Sequence, residues 1–431
     1  MKYSKLALAL AFSGTALFLT ACNDSDNSSN NTVPAAPKFF VSEAAYDKDS
    51  MDEAKSIQVM NYKMPNVLGE MIETSAIVLF PKTEQPKDGY RVVVWAHGTL
   101  GVADKCAPTN TNLGKNFKEY TAKNLLDAGY VVVAPNYEGF GNPKGGDDND
   151  GHVHPYLNIK SEADSAIYAV KAAKEHYGKQ LNGAWMSVGQ SQGGQAALGI
   201  AQYADGDASY KGTVAGAPAS SLGTIILDVA PPAIDGLEAN PAYGKEGAAQ
   251  TYATLLSYAA LAGAGITAYE PTFDYRKMFQ AGANAQKLAE TAETECLPEM
   301  VGAYTKDILT YLAMNEGKKV TEYPGIDREA FEKNETVKDF LENKSQPTTD
   351  KLNKPILIVQ GVYDTNVPYV VTNALYGEMR KSGSNISLLP VSIAPSANNP
   401  VVNGSHTGAI LAANEDGSLI RFVQQHMPAG K

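Results

Sequence analysis

The stretch that most constrains this chain is Trp185-Met-Ser-Val-Gly-Gln-Ser-Gln-Gly-Gly194. The apolar residues 185–188 read as a short buried strand, residues 189–194 as a turn, and Gln195-Ala-Ala-Leu-Gly-Ile200 as the start of an Ala-rich helix. A G-x-S-x-G pattern in that context sets a serine on a sharp, strained strand-to-helix bend. Side chains at Gly189 and Gly193 would drive the flanking backbones into each other, so both positions require glycine. The bend lifts the Ser191 hydroxyl above the sheet. It also leaves the N–H groups at the helix start, chiefly that of Gln192, facing any oxygen bound beside Ser191.

Around this bend the chain alternates strand and helix. Residues 76–80 and 91–96 are apolar runs, the second of the continuous kind that a parallel strand buried on both faces needs. Residues 116–128 carry helical spacing and stop at Gly129, residues 130–134 form the next buried run, and residues 161–177 are amphipathic up to Gly178. After the bend come runs at 212–217, 355–360 and 386–391, then a helix over about 407–425. This rhythm predicts an α/β fold with a mostly parallel central sheet and helices on both faces. Residues 33–64 are mixed and carry no clear pattern.

Between residues 220 and 349 there is no long β-branched run, only Ala-rich and Tyr-rich helical spacing broken at Pro231-Pro232, Pro271 and Pro324-Gly325. A structureless loop of that length is foreign to a compact domain, so this stretch is read as an inserted helical cap. The expected layout is core over residues 41–219, cap over 220–349 and core again over 350–431. At 431 residues and 44% hydrophobic composition the chain can supply both a core and an insertion.

A serine hydroxyl is a weak nucleophile until a base takes its proton, and the base needs a carboxylate to hold its tautomer. On a sheet of this kind the chain order is serine, acid, histidine. Of the two late histidines, His426 sits near the end of the last helix, whereas His406 lies in Asn403-Gly-Ser-His-Thr-Gly408, a small-residue loop after the last strand. The acid falls to Asp364, in the turn Gln360-Gly-Val-Tyr-Asp-Thr-Asn-Val-Pro368 at the carboxyl end of its strand. Asp364 as the aspartate of a structural turn is the alternative. A second oxyanion donor beside Gln192 is expected from His97-Gly98-Thr99, first from the N–H of Thr99 with Leu100 in reserve, His97 itself orienting the loop.

No metal or cofactor site is expected. Residues 145–151 are acidic but lack the alternating spacing and distal Glu of a calcium loop, and His152 and His154 have no further zinc ligands beside them. The net charge of -11 argues against nucleic acid or an anionic membrane surface as partner, and it deepens once a leader carrying Lys2 and Lys5 is removed.

Residues 1–21 read as a signal peptide, with Lys2 and Lys5 before an apolar run too short to span a bilayer. Leu19-Thr20-Ala21-Cys22 resembles a bacterial lipobox, which implies cleavage before Cys22, lipidation of its thiol and a place in the cell envelope. An ordinary secretory signal is the alternative. Residues 22–40 then form a tether, polar up to about residue 34. With Cys22 carrying lipid, Cys106 and Cys296 are the remaining thiols in an oxidising compartment, so they are expected to pair, two separate buried thiols being the alternative. Cys296 lies in the cap, so the bond would tie cap to core.

Taken together, several segments resemble the secretory lipase family of α/β-hydrolases. They are His97-Gly-Thr, Cys106-Ala-Pro-Thr109, Ala134-Pro-Asn-Tyr-Glu-Gly-Phe-Gly141, His154-Pro-Tyr-Leu157, Gly189-Gln-Ser-Gln-Gly-Gly194, Gly361-Val-Tyr-Asp364 and Ser405-His406. The resemblance implies an α/β-hydrolase fold with a helical cap, a Ser191, Asp364 and His406 triad, and hydrolysis of lipid or ester substrates without a cofactor. Asn136 departs from the aspartate expected there, and residues 144–151 look like an extra acidic turn. A serine peptidase with the same triad, or a surface binding protein on an inactive fold, are the rival readings. Oligomeric state is not legible.

Overall fold

The computed structural model describes residues 38–141 and 152–430. The leader, Cys22, most of the tether and the acidic run at 144–151 lie outside the described residues. Nine strands make one sheet among them: β1 (Phe40–Ala45), β2 (Ala54–Pro65), β3 (Met71–Pro81), β4 (Tyr90–Ala96), β5 (Val131–Pro135), β6 (Leu181–Gln190), β7 (Tyr210–Gly216), β8 (Ile356–Gly361) and β9 (Ile386–Val391). Their spatial order is β1-β2-β3-β5-β4-β6-β7-β8-β9. β1, β2 and β3 are antiparallel, β3 pairs antiparallel with β5, and every pair from β5 to β9 is parallel.

The continuous apolar runs serve two cores. Val92 and Val94 of β4 join one buried cluster and Val93 the other, and Ile356 and Ile358 of β8 divide from Leu357 and Val359 in the same way. Successive side chains of a strand point to opposite faces, so a strand covered on both sides must be apolar throughout. The helices Ile159–Tyr177, Gln192–Tyr203 and Tyr369–Lys381 cover one face. Leu125 and Leu126, with the helices Gly408–Glu415 and Ser418–His426, cover the other.

Two expectations are corrected. Residues 33–64 contain β1 and β2, and in β2 the buried Met60, Tyr62 and Met64 alternate with Asn61 and Lys63, a period-two pattern of a half-buried strand. The expected last helix is two helices, broken at Gly417, whose φ of 76° ends the helical path.

Between β7 and β8 the chain is helical throughout its ordered elements, from Leu222–Thr224 to Phe340–Lys344, and it builds its own apolar cluster around Leu256, Ala260, Met300 and Tyr304. Its longest helix, Gly244–Ile266, is rich in Ala and Gly, and its last turn runs close to the segment from His154 to Tyr156. A Cβ on Gly265 would stand 2.6 Å from the Tyr156 nitrogen. The disulfide between Cys106 and Cys296 joins this segment to the loop after β4, and beside it the Leu297 N–H donates to the Leu100 carbonyl at 2.8 Å.

Candidate active site

The bend after β6 has the expected geometry. Ser191 adopts φ 62° and ψ −120°, a conformation that costs an ordinary residue of order 1–3 kcal/mol and persists only where the surroundings impose it. The Ser191 N–H donates to the Gly216 carbonyl of the adjacent strand at 2.8 Å, and the Ser191 carbonyl accepts from Gln195 at 3.0 Å. The backbone crossing is as close as the glycines predict: a Cβ on Gly189 would stand 2.0 Å from the Gly193 carbonyl oxygen.

His406 Nε2 lies 2.8 Å from Ser191 Oγ, and His406 Nδ1 lies 2.8 Å from Asp364 Oδ2. A carboxylate accepts only, so Nδ1 carries the proton and Nε2 is left to accept from the serine hydroxyl. Asp364 also makes the turn offered as its alternative role. Its Oδ1 accepts from the N–H groups of Asn366 at 2.8 Å and Val367 at 2.9 Å, while Gln360 Nε2 donates to Oδ2 at 3.1 Å. The Asp364 side chain is wholly buried. With four donors around it, the carboxylate has one orientation.

The His406 loop is fixed from both sides. Tyr363 donates its N–H to the Gly404 carbonyl at 2.9 Å, Gly404 donates to Ile393 at 2.7 Å, and Gln190 Nε2 donates to the His406 carbonyl at 3.2 Å. The loop after β4 closes the other side. His97 is buried, its ring centroid lies 4.2 Å from that of Tyr137, and its Nδ1 donates to the Gly98 carbonyl at 2.7 Å. Burial pushes its pKa down to about 4, so it is neutral near pH 7 and braces the loop without acting as a base. Thr99 Oγ1 meets Tyr156 Oη at 2.8 Å. Asn136 uses both ends of its amide on Thr109, donating from Nδ2 to the hydroxyl at 2.7 Å and accepting the N–H at 3.3 Å.

Two cavities meet at Ser191. One is a narrow apolar slot of about 70 Å³ that runs into the helical segment past Leu157, Leu222, Ile225, Leu255, Ala259 and Phe340. The other is a wider and more polar cleft of about 560 Å³, bounded by Thr111, Asn112, Asn116, Gln190, His406 and Thr407. Thr99, Ser191, Tyr258 and Asn366 line both.

All five expected site residues, Ser191, Asp364, His406, Thr99 and Gln192, therefore lie at one place on the carboxyl edge of the sheet. Sequence reading passed over Gln190, Gln360, Asn366 and Tyr258. Gln190 reaches His406, and Asn366 reaches Tyr258, only because distant segments fold together, whereas Gln360 bonds within its own segment, to Asp364, Val367 and Thr372. It also passed over Glu162, a wholly buried carboxyl whose place in an otherwise apolar helix stripe was a detectable signal.

No protein-family model and no curated protein matches this chain. Solved structures do. The rice cell wall degrading esterase LipA from Xanthomonas oryzae superposes with a TM-score of 0.61 at 20% identity, over 90% of this chain and 97% of that one. Candida antarctica lipase A superposes with a TM-score of 0.58 at 16% identity, over 85% and 77%. The closed state of that lipase gives 0.59 at 15%, over 88% and 82%. At these identities the likeness establishes the α/β-hydrolase fold.

Proposed function

We propose that the chain is a carboxylic ester hydrolase of the lipase and esterase type, working through an acyl-enzyme on Ser191. The observation that carries the reading is the unbroken relay from Ser191 Oγ through His406 to Asp364, two contacts of 2.8 Å each. Ser191 Oγ attacks the ester carbonyl carbon as its proton passes to His406 Nε2, and the N–H groups of Thr99 and Gln192 receive the oxyanion. His406 then gives that proton to the departing alcohol oxygen as the C–O bond breaks. Water repeats the sequence on the acyl-enzyme and frees the acid.

The two cavities divide the substrate. The leaving oxygen must depart on the side of the proton donor, and His406 lines the wider polar cleft, so the alcohol part belongs there. The acyl chain enters the apolar slot, whose lining is almost wholly aliphatic and aromatic. The motifs quoted above support a finer placement in the secretory lipase family. Cys22 as a lipid attachment point would hold the site near a membrane of the bacterial envelope, which mass spectrometry of the mature N-terminal peptide tests directly.

The test is hydrolysis of p-nitrophenyl esters from acetate to palmitate, with aminoacyl anilides in parallel and Ser191→Ala as control. Ester turnover that disappears in the variant supports the reading. Anilide turnover without ester turnover replaces it with a peptidase, and turnover of neither, with no fluorophosphonate labelling of Ser191, replaces it with a binding protein.

A further inference from the structure

Beneath the bend lies a polar cluster that the ester mechanism does not use. Gln192, the first residue after Ser191, turns its side chain into the protein, where it is 1% exposed. Its Nε2 donates to Glu162 Oε1 at 2.7 Å and meets His154 Nε2 at 3.1 Å. His154 Nδ1 faces the Glu138 carbonyl at 2.9 Å, which accepts only, so the proton sits on Nδ1 and Nε2 accepts from Gln192. Both amide protons of Gln192 are thus used. Glu162 Oε1 also accepts the N–H of Leu157 at 3.0 Å, and Leu157 holds a φ of 60°, unusual for a leucine, on the wall of the slot. Glu162 and His154 are each fully buried. Neither Glu162 Oε2 nor Gln192 Oε1 has a hydrogen-bond partner among the described residues. Burying such groups incompletely paired is expensive, and a cluster that serves only packing is better made of apolar residues.

We propose that Glu162 is a positioning residue for the oxyanion site: by gripping the Gln192 side chain and the Leu157 N–H from one oxygen, it sets the Gln192 backbone N–H beside Ser191 together with the wall of the acyl slot. The proposal rests on the oxyanion role given to Gln192 under the proposed function.

The protonation of Glu162 bears on how this works. Desolvation pushes its carboxyl up to about 8, so near pH 7 it is mostly neutral. Ionised, it would set a negative charge at the start of the helix Gln192–Tyr203, where the proposed oxyanion forms, and the two would compete for the same helix-end field. The groups facing it change little over that range. His154 is held neutral by burial, its pKa down to about 3, and the phenols of Tyr137 and Tyr156 are pushed well above 10 by burial. Glu138, raised to about 7 by burial, lies beyond Ser161 and His154 and adds a more distant charge as it ionises.

The experiment compares wild type with Glu162→Gln and Glu162→Leu by the rate at which a fluorophosphonate labels Ser191, measured across pH. In that reaction the Ser191 Oγ–P bond forms, the P–F bond breaks, fluoride leaves and His406 takes the serine proton, so the rate reports the nucleophile and the oxyanion site without depending on the natural substrate. Gln at 162 can still accept both N–H groups but cannot ionise. The expected result is a wild-type rate that falls as pH rises through about 8, a Glu162→Gln rate near wild type at neutral pH with the alkaline fall removed, and a Glu162→Leu rate lower by about 10²- to 10³-fold, the usual cost of one oxyanion donor. A Glu162→Leu rate equal to wild type, or a Glu162→Gln profile that keeps the alkaline fall, overturns the inference. If Glu162→Leu does not fold, the Glu162→Gln profile decides alone. Wild-type ester turnover and labelling with unaltered variants sinks the inference and leaves the functional reading standing; no turnover and no labelling in wild type sinks both.

Discussion

Gly193 crosses the end of β4 so closely that a Cβ on it would stand 1.9 Å from the carbonyl oxygen of Ala96. No rotamer can relieve a clash between a Cβ and a backbone oxygen, so Gly193→Ala must move the strand or the helix. It is expected to lower stability by about 3 kcal/mol. Urea unfolding followed by circular dichroism measures this, and a midpoint equal to wild type would show that the bend yields easily.

Replacing Ser191 or His406 by Ala, or Asp364 by Asn, is expected to reduce ester turnover by about 10⁴-fold or more, with the double variants little worse than the singles. The reason is the shared relay of 2.8 Å contacts, which one loss already breaks. Multiplicative losses in the double variants would mean that the three side chains act independently.

Ala259 and Ala262 face the slot. Ala259→Phe is expected to fill it, lowering kcat/KM for palmitate by at least about tenfold while leaving acetate within a few-fold, a methylene or two of lost pocket already counting for about 1–3 kcal/mol. An unchanged chain-length profile would put the acyl chain in the other cleft.

The Cys106 to Cys296 bond spans 190 residues of chain and joins the loop bearing Thr99 and Leu100 to the start of the helix Leu297–Met314. Reduction is expected to lower the unfolding free energy by about 5 kcal/mol in the chain-entropy account. Thermal unfolding with and without a phosphine reductant reads it. An unchanged Tm with the bond verified as reduced would assign the cohesion to the apolar cluster alone.

Stability should fall on both sides of neutrality, and the signs follow from two buried groups. Desolvation raises Glu162 from 4.5 to about 8, so its contribution is full below 4.5, erodes as pH rises and is lost above about 8. Desolvation lowers His154 from 6.5 to about 3, so its contribution is full above 6.5 and is lost as pH falls toward 3. Urea midpoints across pH for wild type and Glu162→Gln check this. The variant should lose part of the alkaline decline, the remainder belonging to Glu138, which burial also raises. An identical decline in both proteins would mean that Glu162 is solvated.

What the sequence determined by itself is whatever short-range physics dictates. Gly189, Ser191 and Gly193 announce their bend because the conflict between Gly189 and the Gly193 carbonyl lies within five residues, and the two-faced valine runs of β4 and β5 announce a buried parallel strand because alternation is a property of the strand itself. Asp364 and His406 were legible one step further out, through chain order and the loops that follow β8 and β9. β1 and β2 were missed although Met60, Tyr62 and Met64 carry the period, because apolar residues of that strand's other face blur it. Only the tertiary structure decided which loops touch. Glu162 and Gln192 stand 30 residues apart on different helices, and Asn366 and Tyr258 meet across 108. It also decided that the space at Ser191 splits into an apolar slot and a polar cleft, because a cavity is the gap between elements whose packing no local pattern encodes.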